Sequence, residues 1–272
     1  MSTNASGFIG DIPNHYDKGL GPNIFEDYAN HLVEACCNET VLSAIELAAG
    51  TGIVSRKLRD SLSNECSLVV TDLNGPMLDV AKAKFGAGES VKFLVANAMD
   101  LPVESASFDL VVCQFGVMFF PDKVASFREA LRVVKPGGRY VFNVWSPMEE
   151  NPFSKMANDV AASFFPDDPP GFYTVPFHYG DPKVVLADLT NAGWPEVEYE
   201  TIRLEKLIKD PESFAQALVF GNPLIDEIKE RGRVSPEEVA KKMLASIHRS
   251  FGATDMKMPL SATTFVCHKH GA

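Results

Sequence analysis

The segment from residue 41 to 58, VLSAIELAAGTGIVSRKL, is an apolar run that reaches Glu46, passes through the small residues Ala48-Ala49-Gly50-Thr51-Gly52 and opens directly into a helical pattern. A strand that turns into a helix through small residues belongs to a βαβ unit, because parallel strands need a crossover connection and that crossover is usually a helix. The glycines let a ligand approach the backbone, and the helix amino end offers free N–H groups to an anion.

The same alternation continues to Trp145 and predicts a mostly parallel sheet. Strands are expected at Val41–Leu47, Ser67–Asp72, Val91–Val95, Phe108–Gln114 and Arg139–Trp145. Helices are expected at Gly52–Leu62, Pro76–Phe85 and Lys123–Val134, the last stopped by Lys135-Pro136-Gly137-Gly138. On this pattern each strand but the last is returned by a crossover helix. Ahead of the core, Phe25, Tyr28, Leu32, Val33 and Cys36 recur at helical spacing, so His15–Cys37 reads as one or two helices broken near Gly19–Pro22 and laid over the core as a cover. Behind it, Ser146–Gly180 is dense in proline and aromatics without a period and is read as a lid. A helix at Asp181–Ala192, a strand at Val197–Leu204, helices across Pro211–Arg249 and a strand at Ala262–His268 complete the chain. The whole is expected to be one domain: cover 1–40, core 41–145, lid 146–180 and C-terminal helices and strands 181–272.

Asp72 stands twenty residues past Gly52, at the end of the second strand, where a carboxylate can accept both hydroxyls of a ribose. That spacing also serves nicotinamide enzymes, so other residues must choose the ligand. Glu46 lies four residues before Gly50, where it would repel a pyrophosphate but can hold an ammonium group, directly or through water. Gly50-Thr51-Gly52-Ile53-Val54-Ser55 lacks the third glycine of the dinucleotide fingerprint. Residues 95–102, VANAMDLP, follow the third strand, where a side-chain amide and backbone N–H groups could read an adenine edge. The implied ligand has an amino acid end and an adenosine end.

The ordered segments ELAAGTG, TDLN, ANAMDLP, FDLVVCQFGVMFFPD and LRVVKPGGRYVFNVW resemble the motifs of class I S-adenosylmethionine-dependent methyltransferases with a UbiE-like, or type 11, methyltransferase domain. The resemblance implies a Rossmann-like, doubly wound, seven-stranded sheet with five parallel strands and an antiparallel C-terminal strand. It implies S-adenosylmethionine as cofactor. Separately, the dense Phe, Tyr and Pro of the cover (with His15, Tyr16 and Phe25) and of the lid from Ser146 to Tyr179 predict an apolar pocket for a small, hydrophobic or aromatic methyl acceptor. By position the resemblance sets Glu46 toward the methionine amino group, Ala48, Gly50 and Gly52 along the methionine and ribose, and Asp72 at the ribose diol. Leu73 and Met99 would sandwich the adenine, with Asn97 and Ala98 at its edge. Gln114 and Phe115 would lie near the methyl group, and Tyr16 would reach the methionine carboxylate or the acceptor. Ala48 stands where the family commonly has glycine, and Asn97 where it commonly has aspartate. Two rivals share these features: a nicotinamide-dependent oxidoreductase, and a protein of the same fold that binds the cofactor without transferring methyl.

His15 and His178 fall in the covering segments beside aromatics and are candidate bases for an acceptor hydroxyl. His268 and His270 lie two apart without further ligands, so no metal is expected. Cys36, Cys37, Cys66, Cys113 and Cys267 show no CxxC spacing and are read as reduced, mostly core thiols. With 25 basic against 36 acidic residues the formal charge is −11, a field that repels phosphate backbones and anionic bilayers, so neither nucleic acid nor membrane is an expected partner. The amino-terminal stretch lacks a basic run followed by an apolar one, and a cytoplasmic protein is expected.

Overall fold

Residues 7–36, 41–252 and 254–271 are described by a computed structural model. Its centre is a mixed sheet of β1 (Ser43–Glu46), β2 (Ser67–Asp72), β3 (Val91–Val95), β4 (Phe108–Gln114), β5 (Val134–Trp145), β6 (Glu196–Leu207) and β7 (Lys257–His268). Their spatial order is β3-β2-β1-β4-β5-β7-β6, with β1 to β5 parallel and β7 antiparallel to both β5 and β6. The chain winds outward from β1 to β3 and then returns to β4 on the other side of β1. The carboxyl ends of β1 and β4 therefore flank a crevice where ligands of open α/β sheets bind.

Strand alternation explains why these strands are apolar almost throughout. Ala44, Leu110, Val112 and Val141 face one layer with Leu32, Val33, Val54 and Leu58, whereas Ile45, Val111, Cys113 and Phe142 face the opposite layer with Phe127 and Ala130. Both faces are covered, as a parallel core requires. The helices supplying these layers are α2 (Glu26–Cys36) and α3 (Ile53–Ser61) on one side and α5 (Lys123–Val133) on the other; α4 (Gly75–Lys82) joins β2 to β3. Cys36, Cys66, Cys113 and Cys267 are buried, and Cys37 lies outside the described residues.

Besides β5 beginning at Val134 rather than Arg139, so that Lys135–Gly138 belong to the strand, the structure departs from the sequence reading in four places. The amino-terminal cover is not broken at Gly19–Pro22: α1 (Ile12–His15) runs into a π-helix, Tyr16–Phe25, and on into α2. The wider turn is closed by Glu26 N–H to the Gly21 carbonyl, and Pro22 sits inside it. Gly19 serves packing instead, since a Cβ there would lie 2.3 Å from Ala217 Cβ of α9 (Pro211–Phe220). Second, residues 96–107 link β3 to β4 without a helix, so that crossover is a loop. Third, the lid contains a regular element, α6 (Pro152–Ala162), whose buried Phe153, Ser154, Ala157, Val160 and Ala161 have helical spacing that the surrounding prolines and aromatics hid. The short α7 (Thr174–Phe177) follows it, then α8 (Pro182–Ala192). Fourth, β6 and β7 are longer than expected because they pair along their whole length, from Glu196 with His268 to Leu207 with Lys257. Between them lie α9, α10 (Leu224–Arg231) and α11 (Pro236–Phe251), and no helix among the described residues is long and apolar enough to cross a membrane.

Candidate active site

The turn leaving β1 is built from left-handed residues: Ala48 (φ 49°), Gly50 (φ 57°) and Gly52 (φ 79°). Gly52 is needed for a second reason, since a Cβ there would meet Ala81 Cβ of α4 at 2.8 Å. Ala48 adopts this conformation with a Cβ, which stores strain at the site. The turn is held by Ala49 N–H to the Thr71 carbonyl at 2.8 Å and by Gly50 N–H to Asp72 Oδ2 at 2.8 Å.

Two carboxylates flank this turn. Glu46 is 1% exposed, and its carboxylate takes a hydrogen bond from the Ser55 hydroxyl. Burial pushes its pKa up to about 8, with nearby Asp72 adding to the rise and the Ser55 bond opposing it. The direct partner of Glu46 is the neutral Ser55 hydroxyl, with Lys84 lowering its pKa only as the smallest of the effects, so a ligand ammonium would stabilise the charged form. Asp72 is also buried and accepts Asn74 N–H at 2.7 Å on Oδ1 besides Gly50 on Oδ2. Burial raises its pKa, and the bonds from Asn74 and Gly50 counter this. Each carboxylate oxygen can accept two hydrogen bonds, so Oδ2 retains capacity for a hydroxyl.

Above the turn opens a cleft of about 290 Å³. Its walls include Tyr16, Ala48, Gly50, Asp72, Leu73, Asn97, Ala98, Met99, Gln114 and Phe115, which the sequence singled out. Glu46 and Gly52 are not on its surface; Glu46 lies within the protein, against Ser55. Leu73 is 57% exposed, an apolar side chain left for a ligand to cover. The Asn97 carbonyl, expected at an adenine edge, already accepts Met99 N–H at 3.0 Å. The sequence reading missed Phe8, Asn74, Met77, Gly116, Phe119, Phe120 and Pro121 in these walls. Phe119 to Pro121 belong to the stretch FGVMFFPD that follows β4, and their place after a strand end was the available signal.

A second, much smaller cavity, of about 60 Å³, adjoins the first and is mostly aromatic. Leu20, Ile24 and Phe25 of the amino-terminal cover, Trp145 from the end of β5, and Phe153, Phe172, Tyr173, Pro176 and Phe177 of the lid line it, with Leu218 and Asn222. Phe8, Tyr16, Phe115 and Phe119 belong to both cavities. Phe115 is left-handed (φ 50°) and stacks on Trp145 with centroids 4.0 Å apart. Its N–H is gripped by both the main-chain and side-chain oxygens of Asn143, at 3.2 and 3.0 Å, which fixes the strained residue.

The two candidate bases are not brought here. His15 pairs with Asp11 at 3.3 Å and packs on Phe220, and His178 is exposed, its Nδ1 turned to the Val175 carbonyl. His178 lies between the buried Phe177 and Tyr179, and those neighbours take the inward positions. Neither histidine lines either cavity.

A doubly wound sheet with an acid-flanked glycine turn, a nucleoside-sized cleft and an adjoining apolar chamber defines the Rossmann-like methyltransferase class. Residues 15–167 match the ubiE/COQ5 methyltransferase family, and the chain belongs to that family. It is 39% identical over 104 residues to the demethylmenaquinone methyltransferase of Lactococcus lactis, covering 38% of this chain and 41% of that one. It is 36% identical over 151 residues to the ubiquinone/menaquinone biosynthesis C-methyltransferase UbiE of Bartonella henselae, covering 53% of this chain and 58% of that one. The matches thus span about half the length of these curated relatives. Among solved structures, a Bacillus halodurans protein described as a putative methyltransferase superposes with TM-score 0.58 at 18% identity, covering 90% of this chain and 99% of that one. Phosphoethanolamine N-methyltransferase 2 of Haemonchus contortus, in complex with S-adenosyl-L-methionine, gives TM-score 0.62 at 16% identity, covering 98% and 59%. These superpositions show a shared fold.

Proposed function

We propose that this protein transfers a methyl group from S-adenosylmethionine to a small, hydrophobic or aromatic acceptor. The observation that carries the proposal is the shared wall of Phe8, Tyr16, Phe115 and Phe119, which joins a glycine-floored cleft bearing Asp72, Asn74, Asn97 and Gln114 to an apolar chamber. Asp72 and the backbone at Gly50 would hold the ribose and methionine portions, and Leu73 with Met99 the adenine. The buried Glu46 would supply negative charge for the ammonium, and Thr51 Oγ1, buried without a partner, offers a further polar contact in the same turn.

The cofactor supplies an activated methyl on a sulfonium. What remains for the protein is to set a nucleophile in line at about 3 Å and keep water out. The aromatic walls do the second. For the first, no histidine lines either chamber, and burial raises the Tyr16 hydroxyl above its ordinary pKa, so it stays protonated at neutral pH. Positioning without a strong general base is the mechanism these residues support. The acidic composition, −11 overall, favours a free small molecule over nucleic acid as acceptor.

The names of the curated relatives make quinone-type molecules the first acceptors to screen. Incubation with methyl-labelled S-adenosylmethionine and a panel of apolar acceptors should give one product heavier by a methyl group. Cofactor binding without product from any of them would favour a binding protein of the same fold, whereas nicotinamide binding in place of S-adenosylmethionine would favour the oxidoreductase.

A further inference from the structure

We infer that Gln114 positions the methyl acceptor, by accepting a hydrogen bond from a hydroxyl or amine that an otherwise apolar acceptor carries beside its methylated atom. This rests on the methyl-transfer reading and deepens it. Gln114 ends β4 and lines the cofactor cleft. Its Nε2 donates to the Phe25 carbonyl at 3.3 Å. That bond fixes the amide, since exchanging N and O would set two carbonyl oxygens against each other. Oε1 is consequently committed to the other side, where it is buried and has no protein partner. Buried carbonyl oxygens in native proteins are nearly always satisfied, so one left over on a side chain that lines the ligand cleft points to a donor that arrives with the ligand.

Location narrows which ligand. Phe25, to which the amide is tied, and Phe115, the next residue, both line the apolar cavity, so Gln114 stands where that cavity meets the cleft. The polar groups farther into the apolar cavity are already used. The Tyr173 hydroxyl donates to the Leu218 carbonyl at 2.6 Å; Asn222 donates to the same carbonyl at 3.1 Å and accepts Leu224 N–H at 3.0 Å. An acceptor held among the rings therefore meets the Gln114 carbonyl on the side toward the cofactor, where the Tyr16 hydroxyl in the wall of both cavities is the other polar group at hand.

The probes are naphthol and its methyl ether, which share an aromatic frame but differ in the O–H, titrated calorimetrically into protein saturated with S-adenosylhomocysteine. The wild type is expected to bind naphthol about tenfold or more tightly than the ether, the scale of a buried hydrogen bond. Gln114→Leu should lose that preference, and Gln114→Glu, which keeps an acceptor, should retain it. Measurable binding of S-adenosylhomocysteine by each variant shows that its cleft is folded. A wild type that binds both probes equally or neither, or a folded Gln114→Leu that still prefers naphthol, overturns the assignment. Failure of the wild type to bind S-adenosylhomocysteine instead defeats the methyl-transfer reading itself.

Discussion

Ser55, the residue standing where a dinucleotide-binding turn has its third glycine, donates its hydroxyl to the buried carboxylate of Glu46. One substitution thus removes a feature of nicotinamide sites and anchors an acid that suits an ammonium ligand.

The protonation of Glu46 gives a pH prediction. With its pKa pushed up to about 8 in the folded protein against 4.5 ordinarily, the folded state takes up a proton between those values. Stability of the ligand-free protein should fall as pH rises through that window, because the unfolded chain loses its proton first. Cofactor binding requires the opposite charge state. Affinity should rise with pH between about 6 and 7.5, below the range where an α-amino group loses its own proton. Calorimetry at several pH values checks this, and the slope should vanish in Glu46→Gln. A flat profile in the wild type would contradict the role given to Glu46.

Asp72→Ala should lose about 1.5–3 kcal/mol of cofactor affinity, the scale of hydrogen bonds to a charged group. The same change strips Gly50 and Asn74 of their acceptor, so the melting temperature should drop modestly although the fold survives. Asp72→Asn, which keeps one acceptor oxygen, should recover part of both losses. Unchanged affinity in folded Asp72→Ala would refute the ribose assignment.

These two acids were legible in the sequence because a strand end, a glycine turn and a spacing of twenty residues are local facts. The sheet core was legible for the same reason, its strands being short β-branched runs between turn signals. What escaped depends on tertiary contact. Gly19 looks like a helix breaker until Ala217 is seen against it, and His178 looks like a base until Phe177 and Tyr179 occupy the inward positions. Phe8 precedes every periodic segment and enters both cavities only because Tyr16, Phe119 and Phe172 meet its ring edge-on.

Gly116 and Ala48 should behave as a coupled pair. A Cβ on Gly116 would lie 2.6 Å from Ala48 Cβ and 2.7 Å from Cys113 Sγ, so Gly116→Ala is expected to cost about 1–3 kcal/mol of stability. Ala48→Gly removes the first clash and relieves a left-handed alanine, and should restore part of that loss. A double-mutant cycle by thermal denaturation should give a coupling of at least about 0.5 kcal/mol. Strict additivity would mean that the two backbones do not approach as described.

His178→Ala should leave turnover within about twofold, far short of the loss of 10²-fold or more expected for a general base. The reason is its exposure and its bond to the Val175 carbonyl. A loss of that larger size, measured with labelled cofactor and an identified acceptor, would return the residue to the chemistry.

Calorimetric titration of the purified protein with S-adenosylhomocysteine tests the central claim most directly. Glu46, the Gly50–Gly52 turn and Asp72 together predict one site of micromolar or better affinity. A protein that gives no binding heat with S-adenosylhomocysteine or S-adenosylmethionine, yet binds NADH, would contradict the account.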